Sequence, residues 1–307
     1  MLIRFSANRF SANIYYVNEN ILNLILYIYY TTNMYLTIDN KAKIEMFVAL
    51  FQLLKNWSSN LSIQFEKDQL YIQTMDKSHI CLTNITIKNS WFTEYNIEAD
   101  THICVDSNNF AIITNYALKH NKMEIRFEDE LEPDKIFINL LSNDSTATAT
   151  ATASSKSTPK KKDNFDHFFE LNLIDVEQDV LGIPEVDYNV EFTIDSKKFS
   201  ELVSELNVFG SNLNIRCSEN KLEMNANGDA GKLKVNIPID DLNEYAIAEG
   251  EELDISYSLN HISKMCLSTK LSSSVEIFIS IDYPMCFKYN LGDNSTVSFY
   301  IAPKIVD

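Results

Sequence analysis

Glycine and proline are scarce, six of each in 307 residues. Glycine-rich phosphate cradles are correspondingly absent, and neither GxGxxG nor GxxxxGK[ST] occurs. The five cysteines (Cys81, Cys104, Cys217, Cys266, Cys286) are scattered without CxxC or CxH spacing, and the five histidines share no local ligand pattern. They read as reduced core thiols of an intracellular protein, and no metal site, cofactor or catalytic residue is expected. Paired catalytic carboxylates are missing too, which disfavours an enzyme of nucleotide metabolism. Basic residues are outnumbered, 26 Lys and Arg against 43 Asp and Glu, for a formal charge of −17. That balance excludes a uniformly basic nucleic-acid binder. It leaves room for a local basic patch, because charges farther apart than a Debye length of about 8 Å act nearly independently. Long apolar runs are also lacking. Ile21–Tyr30, interrupted by Asn23, falls short of the roughly 20 residues a spanning helix needs, so no membrane partner is expected.

What is present is a repeat. Leu61, Ile63, Phe65, Leu70 and Ile72 recur 152 residues later as Leu213, Ile215, Cys217, Leu222 and Met224. The same shift carries Ile103, Val105, Phe110, Met123, Ile125 and Phe127 onto Ile255, Tyr257, Ile262, Val275, Ile277 and Ile279. Thr37-Ile38-Asp39 and Thr193-Ile194-Asp195 match at a shift of 156, each just before a helix-like stretch. Strand alternation dominates both copies. Helical spacing appears at Ile44–Leu54, Phe110–Ala117, Phe199–Leu206 and Ile262–Cys266. The pattern predicts an α+β chain of two similar domains, each with two one-sided helices packed on antiparallel sheet. Similar units of this kind tile readily around an axis.

Two segments stand outside the repeat. Residues 1–33, rich in Asn, Ile, Tyr and Leu, form an extension of doubtful status. Arg4, Arg9 and nearby serines also permit a transit-peptide reading. Residues 142–164, with alternating Thr-Ala and then Pro159-Lys160-Lys161-Lys162, lack the apolar residues needed for order and read as a surface loop. The expected boundaries are a first domain over 34–172, a connector over 173–190 and a second domain over 191–307.

Three motifs carry a resemblance: Gln73-Thr74-Met75-Asp76-Lys77-Ser78-His79-Ile80, Leu181-Gly182-Ile183-Pro184-Glu185, and Ala302-Pro303-Lys304-Ile305. In that order they resemble the proliferating cell nuclear antigen family, the eukaryotic, archaeal and viral-type DNA sliding clamps. The resemblance implies a homotrimeric, non-enzymatic ring that encircles double-stranded DNA without reading sequence. Such a ring tethers DNA polymerase, a clamp loader and replication and repair proteins carrying a PIP box, a short peptide with one aliphatic and two aromatic anchors. The alternative is a clamp-like PIP-box scaffold or checkpoint-type paralogue that does not productively encircle DNA. The implied compartment is the nucleus in a cellular eukaryote, or the host nucleus or cytoplasmic replication site for a virus.

By the same resemblance the partner peptide meets Met75, His79, Ile80, Leu82, Leu181, Gly182, Ile183, Pro184, Pro284, Tyr300, Ile301, Ala302 and Pro303. For Ile80, Leu82 and Ile301 a plain core role is equally open. Subunits would join through His167, Phe169, Leu171 and Leu173 on one copy and Lys232, Lys234 and Asn236 on the next. DNA-facing lysines would be Lys41, Lys43, Lys55, Lys119, Lys197, Lys198, Lys264 and Lys270. Here the chain departs from the family. Ile112, Asn115, Glu201, Ser204, Val208, Asn260 and Leu267 fall where basic residues are common, so a weakly positive channel is expected. Glu219 likewise replaces the lysine that takes ubiquitin in eukaryotic members, and with Lys221 two residues on, that modification is expected to be absent.

Overall fold

The computed structural model describes residues 34–128, 132–142, 165–176, 180–266 and 269–304. Residues 1–33, almost all of the 142–164 segment, Leu267 and Ile305 therefore lie outside the described residues. The first half runs β1 (Met34–Ile38), α1 (Lys41–Leu54), β2 (Asn60–Phe65), β3 (Gln69–Met75), β4 (Cys81–Lys88), β5 (Glu94–Ile97), β6 (Thr101–Asp106), α2 (Ser107–Tyr116), β7 (Lys122–Phe127), β8 (Lys135–Leu141) and β9 (His167–Asn172). The second repeats that order: β10 (Val190–Asp195), α3 (Ser196–Phe209), β11 (Asn212–Ser218), β12 (Lys221–Gly228), β13 (Gly231–Ile237), β14 (Glu244–Ile247), β15 (Leu253–Ser258), α4 (Leu259–Met265), β16 (Ser274–Ile279), β17 (Met285–Gly292) and β18 (Ser295–Ile301).

Helix placement follows from capping and apolar spacing. Asn40 accepts from the amides of Ala42 and Lys43, and Asp195 from those of Lys197 and Lys198. The two Thr-Ile-Asp triplets are therefore not equivalent at the cap. In the first copy Asp39 turns to the Thr93 hydroxyl, 2.5 Å away, and the helix starts one residue later. Ile44, Phe47, Val48, Phe51 and Leu54 bury one stripe of α1, and Phe51 meets Phe110 of α2 edge-on at 4.6 Å. In the strands, alternate residues such as Leu61, Ile63 and Phe65 enter the core.

The sheets show how the halves join. The first half's β5-β1-β7-β8-β9 stands alone, as does the second half's β13-β12-β11-β15. The other two sets fuse through β18 and β4 into one nine-stranded sheet, β14-β10-β16-β17-β18-β4-β3-β2-β6. Phe299 lies opposite Thr83 and Tyr300 opposite Leu82 across that seam. The counterparts of β18 and β4 under the repeat are β9 and β13, and both are open edges. Beyond the last strand of each half the chain returns to a spare edge: the Ile174 amide donates to the Cys104 carbonyl, and that of Lys304 to Ser256.

Trp91 locks the halves behind the seam. It is fully buried, donates from Nε1 to the Leu291 carbonyl at 3.0 Å, and lies edge-on to Phe92. The Lys43 ammonium sits over its ring and pairs with Asp293 at 2.7 Å. Asp293 and Asn294 both have positive φ, as a two-residue hairpin turn requires. All five cysteines are buried as free thiols. No helix among the described residues is long and apolar enough to cross a membrane.

Candidate functional site

An apolar groove of about 220 Å³ opens where the first half's β3–β4 loop, the connector and the end of β18 converge. Its walls include Met75 at the end of β3, His79, Ile80 and Leu82 from the loop and β4, with Gly182, Ile183 and Pro184 from the connector. Pro284, Tyr300 and Ala302 complete the floor and far side. Three expected residues sit elsewhere. Ile301 is fully buried, because β18 alternates and sends Tyr300 outward and Ile301 into the core. Leu181 and Pro303 are exposed beside the groove without lining it. Val186, Tyr188 and Tyr283 join the lining unannounced. The signal for two of them was available: after Pro184 an extended chain presents every second residue, hence Val186 and Tyr188.

Two polar side chains shape this groove. Gln73, almost fully buried, receives the Leu181 amide on Oε1 at 2.7 Å and donates from Nε2 to the Leu181 carbonyl at 2.9 Å, pinning the connector to β3. Asp76 organises the loop. Its carboxylate accepts the amides of Ser78, Ile80 and Cys81 at 3.0, 2.8 and 2.7 Å, and the Ser78 hydroxyl as well. Burial opposes its ionisation, but these hydrogen bonds outweigh burial and hold the carboxyl well below the usual carboxylate range. Their contribution to stability is present above that range and is lost only as pH falls through the depressed value. Burial pushes the Tyr300 phenol up to about 12 and raises that of Tyr188. The lining thus offers neutral hydroxyls and apolar surface, suited to aliphatic and aromatic anchors with a few hydrogen bonds.

The expected subunit-contact residues lie on the two open edges. His167 clusters with Tyr116 and Phe169, its ring 6.2 and 6.0 Å from theirs and those two 5.9 Å from each other, and its Nδ1 approaches Nε2 of buried His120 at 2.9 Å. Leu171 faces its own core, and Leu173 packs partly buried beside it. On β13, Lys232 and Asn236 are exposed, whereas Lys234 pairs with buried Glu223 at 2.6 Å. Hydrogen bonds from Lys221 and Lys234 draw the Glu223 carboxyl down to about 2. Phe168 is 71 % exposed on this edge, and Tyr116, 44 % exposed, was not anticipated there.

The expected DNA-facing lysines are dispersed. Lys41 donates to the carbonyls of Leu118 and His120, Lys43 is held by Asp293, and Lys55 donates to Gln52 at 2.6 Å. Lys197 lies 4.0 Å from Glu201, and Lys264 sits over the Trp57 ring. Lys119, Lys198 and Lys270 are exposed. Helix α2 contributes no charge and exposes Ile112, Asn115 and Tyr116, while α3 exposes Glu201, Ser204 and Val208, and α4 exposes Asn260. No group of three or more metal-ligating side chains occurs among the described residues.

These features coincide with what comparison finds. The model of the proliferating cell nuclear antigen N-terminal domain matches residues 40–179, and that of the C-terminal domain matches 182–304. Proliferating cell nuclear antigen from Chaetomium thermophilum is 25 % identical over 241 residues, covering 77 % of this chain and 85 % of that protein. The crystal structure of PCNA from Thermococcus kodakaraensis has the same fold, with a TM-score of 0.74 at 18 % identity over 88 % of this chain and 100 % of that one. With both domain models in order along a duplicated fold, the chain belongs to the proliferating cell nuclear antigen family.

Proposed function

We propose that the chain is a homotrimeric sliding clamp, closed around double-stranded DNA, which tethers DNA polymerase and other PIP-box proteins through the groove beneath its connector. Family membership supports the clamp role, and no catalytic step is assigned to the chain. The site of action is the nucleus for a eukaryotic source, or a viral replication site otherwise. The observation that carries the reading is the pair of open edges. The repeat uses β18 and β4 to join two halves within one chain, and leaves the equivalent β9 and β13 free to join two chains. Unpaired edges of that length invite pairing unless a partner covers them.

The intrachain seam also supplies a register. Ile138 pairs with Phe169 as Phe287 pairs with Phe299, and Met224 with Val235 as Ile72 with Ile85. Carrying the β18–β4 register across these equivalences sets Phe169 opposite Leu233, Glu170 opposite Lys232, His167 opposite Val235 and Phe168 opposite Lys234 of the next copy. Phe169 and Leu233 then meet on the core side, and the opposite charges of Glu170 and Lys232 meet outside. Native mass of the full chain over a dilution series tests the ring. Three chains per particle are expected, and a monomer at every concentration would refute it.

The weakly basic helix faces favour a second reading, a PIP-box scaffold that does not productively encircle DNA. Each neutralised phosphate contributes about 0.9 to the slope of log affinity against log salt. With Lys41, Lys43, Lys55 and Lys197 engaged by groups of their own chain, a shallow slope is expected for a clamp of this lining. A slope near that of proteins making about six or more phosphate contacts would contradict the weak lining.

A further inference from the structure

His261 touches the groove's organising carboxylate from the other half of the molecule. It lies on α4, and its Nε2 is 3.4 Å from Asp76 Oδ2 and 3.3 Å from the Ser78 hydroxyl, while Nδ1 is 2.9 Å from the Ser258 hydroxyl. Its ring stacks on Trp57, just past α1. The loop it reaches is conformationally demanding. His79 adopts φ 56°, a left-handed conformation that side chains with a Cβ disfavour, and the Asp76 hydrogen bonds keep it there. Ile80 and Met75, on either side of this turn, are groove walls.

Both protonation states of His261 satisfy these partners. The neutral ring donates from Nε2 toward Asp76 and accepts the Ser258 hydroxyl on Nδ1; the charged ring donates from both nitrogens, with Ser258 accepting. The difference is the strength of the contact with Asp76, which becomes charge-assisted when the imidazole is protonated. The charged and titratable groups around it are few. Asp76 faces it from the β3–β4 loop, where Lys77 and His79 are exposed. The α1 end presents only Trp57, and on its own helix Lys264 lies over that indole. The buried Cys81 thiol beside Asp76 is pushed up by burial and stays neutral.

We infer that His261 is a positioning residue for the docking groove: its protonation tightens the Asp76 turn and raises the groove's affinity for an anchor peptide. The inference rests on the groove being the peptide site. The test uses the full chain and a terminally blocked fluorescent peptide with one aliphatic and two aromatic anchors and no group titrating between about pH 5.5 and 8. Anisotropy should show affinity about fivefold higher at the acid end. His261→Gln, which keeps a neutral donor, should flatten that profile. Exchange protection of the Ile80 and Cys81 amides, measured without peptide, should rise toward acid relative to His261→Gln at each pH. Binding that is pH-independent, or a profile unchanged in His261→Gln, overturns the role of His261. Absence of binding at every pH overturns the groove reading instead, and the amide protection then decides whether His261 still holds the turn.

Discussion

Replacing Trp91 by alanine should cost about 3–5 kcal/mol of stability, the range for emptying a fully buried indole site. Two effects add at this position. The cavity opens between α1 and the β17–β18 hairpin, where Trp91 lies against Phe92 and beneath Lys43. The Leu291 carbonyl also loses its donor, and an unsatisfied buried acceptor costs about 1–3 kcal/mol. Because the indole of the first half donates to Leu291 of the second, the loss falls on the junction between halves rather than on one of them. The variant should melt lower by an amount on the order of 10 °C, read by calorimetry. Trp91→Phe should recover most of the area while still lacking the donor, and should fall between the two. A Trp91→Ala penalty below about 1 kcal/mol would show that the site collapses freely and that Trp91 is not the lock.

The residues that were legible from sequence are those governed by local pattern. Helical and strand periodicity marked the four α-helices among the described residues and the repeat, because each element buries one stripe or one face of its own. The groove was legible through three motifs, yet its geometry was not. Ile301 and Tyr300 are neighbours with opposite fates, decided by which face of β18 the core occupies. Gln73 holds Leu181 across 108 residues, and His261 reaches Asp76 across 185, contacts that no spacing rule anticipates. Lys43 illustrates the same limit. Its position on α1 matched a channel lysine, but the hairpin folded beside it supplies Asp293. The fusion of two half-sheets at β18 and β4 was equally hidden, since edge strands and central strands of mixed burial share one alternating pattern.

That fusion sharpens the largest expected effect on assembly. Phe169→Asp should convert the trimer to monomer at concentrations where the unmodified chain is closed. Phe169 packs partly buried beside His167, and the transferred register sets it against Leu233 of the next copy. Removing the ring forfeits about 1.5–3 kcal/mol of burial at each contact. A carboxylate forced against Leu233 adds a desolvation cost of at least similar size, about 2 kcal/mol or more. Together these raise each interface's dissociation constant by about 100-fold or more, readable as a shift in sedimentation velocity. Stability of the separated chain should fall less than assembly does, because Phe169 packs only partly buried against its own core at a sheet edge. The charge pair tests the register itself. Glu170→Lys faces Lys232 across the proposed seam and should loosen the ring at low salt, and adding Lys232→Glu should restore it. Lys135, 3.2 Å from Glu170 in the same subunit, adds to the repulsion in the single variant and tempers the rescue. Rescue that fails while Phe169→Asp still dissociates the ring would keep the edge pairing and shift its register.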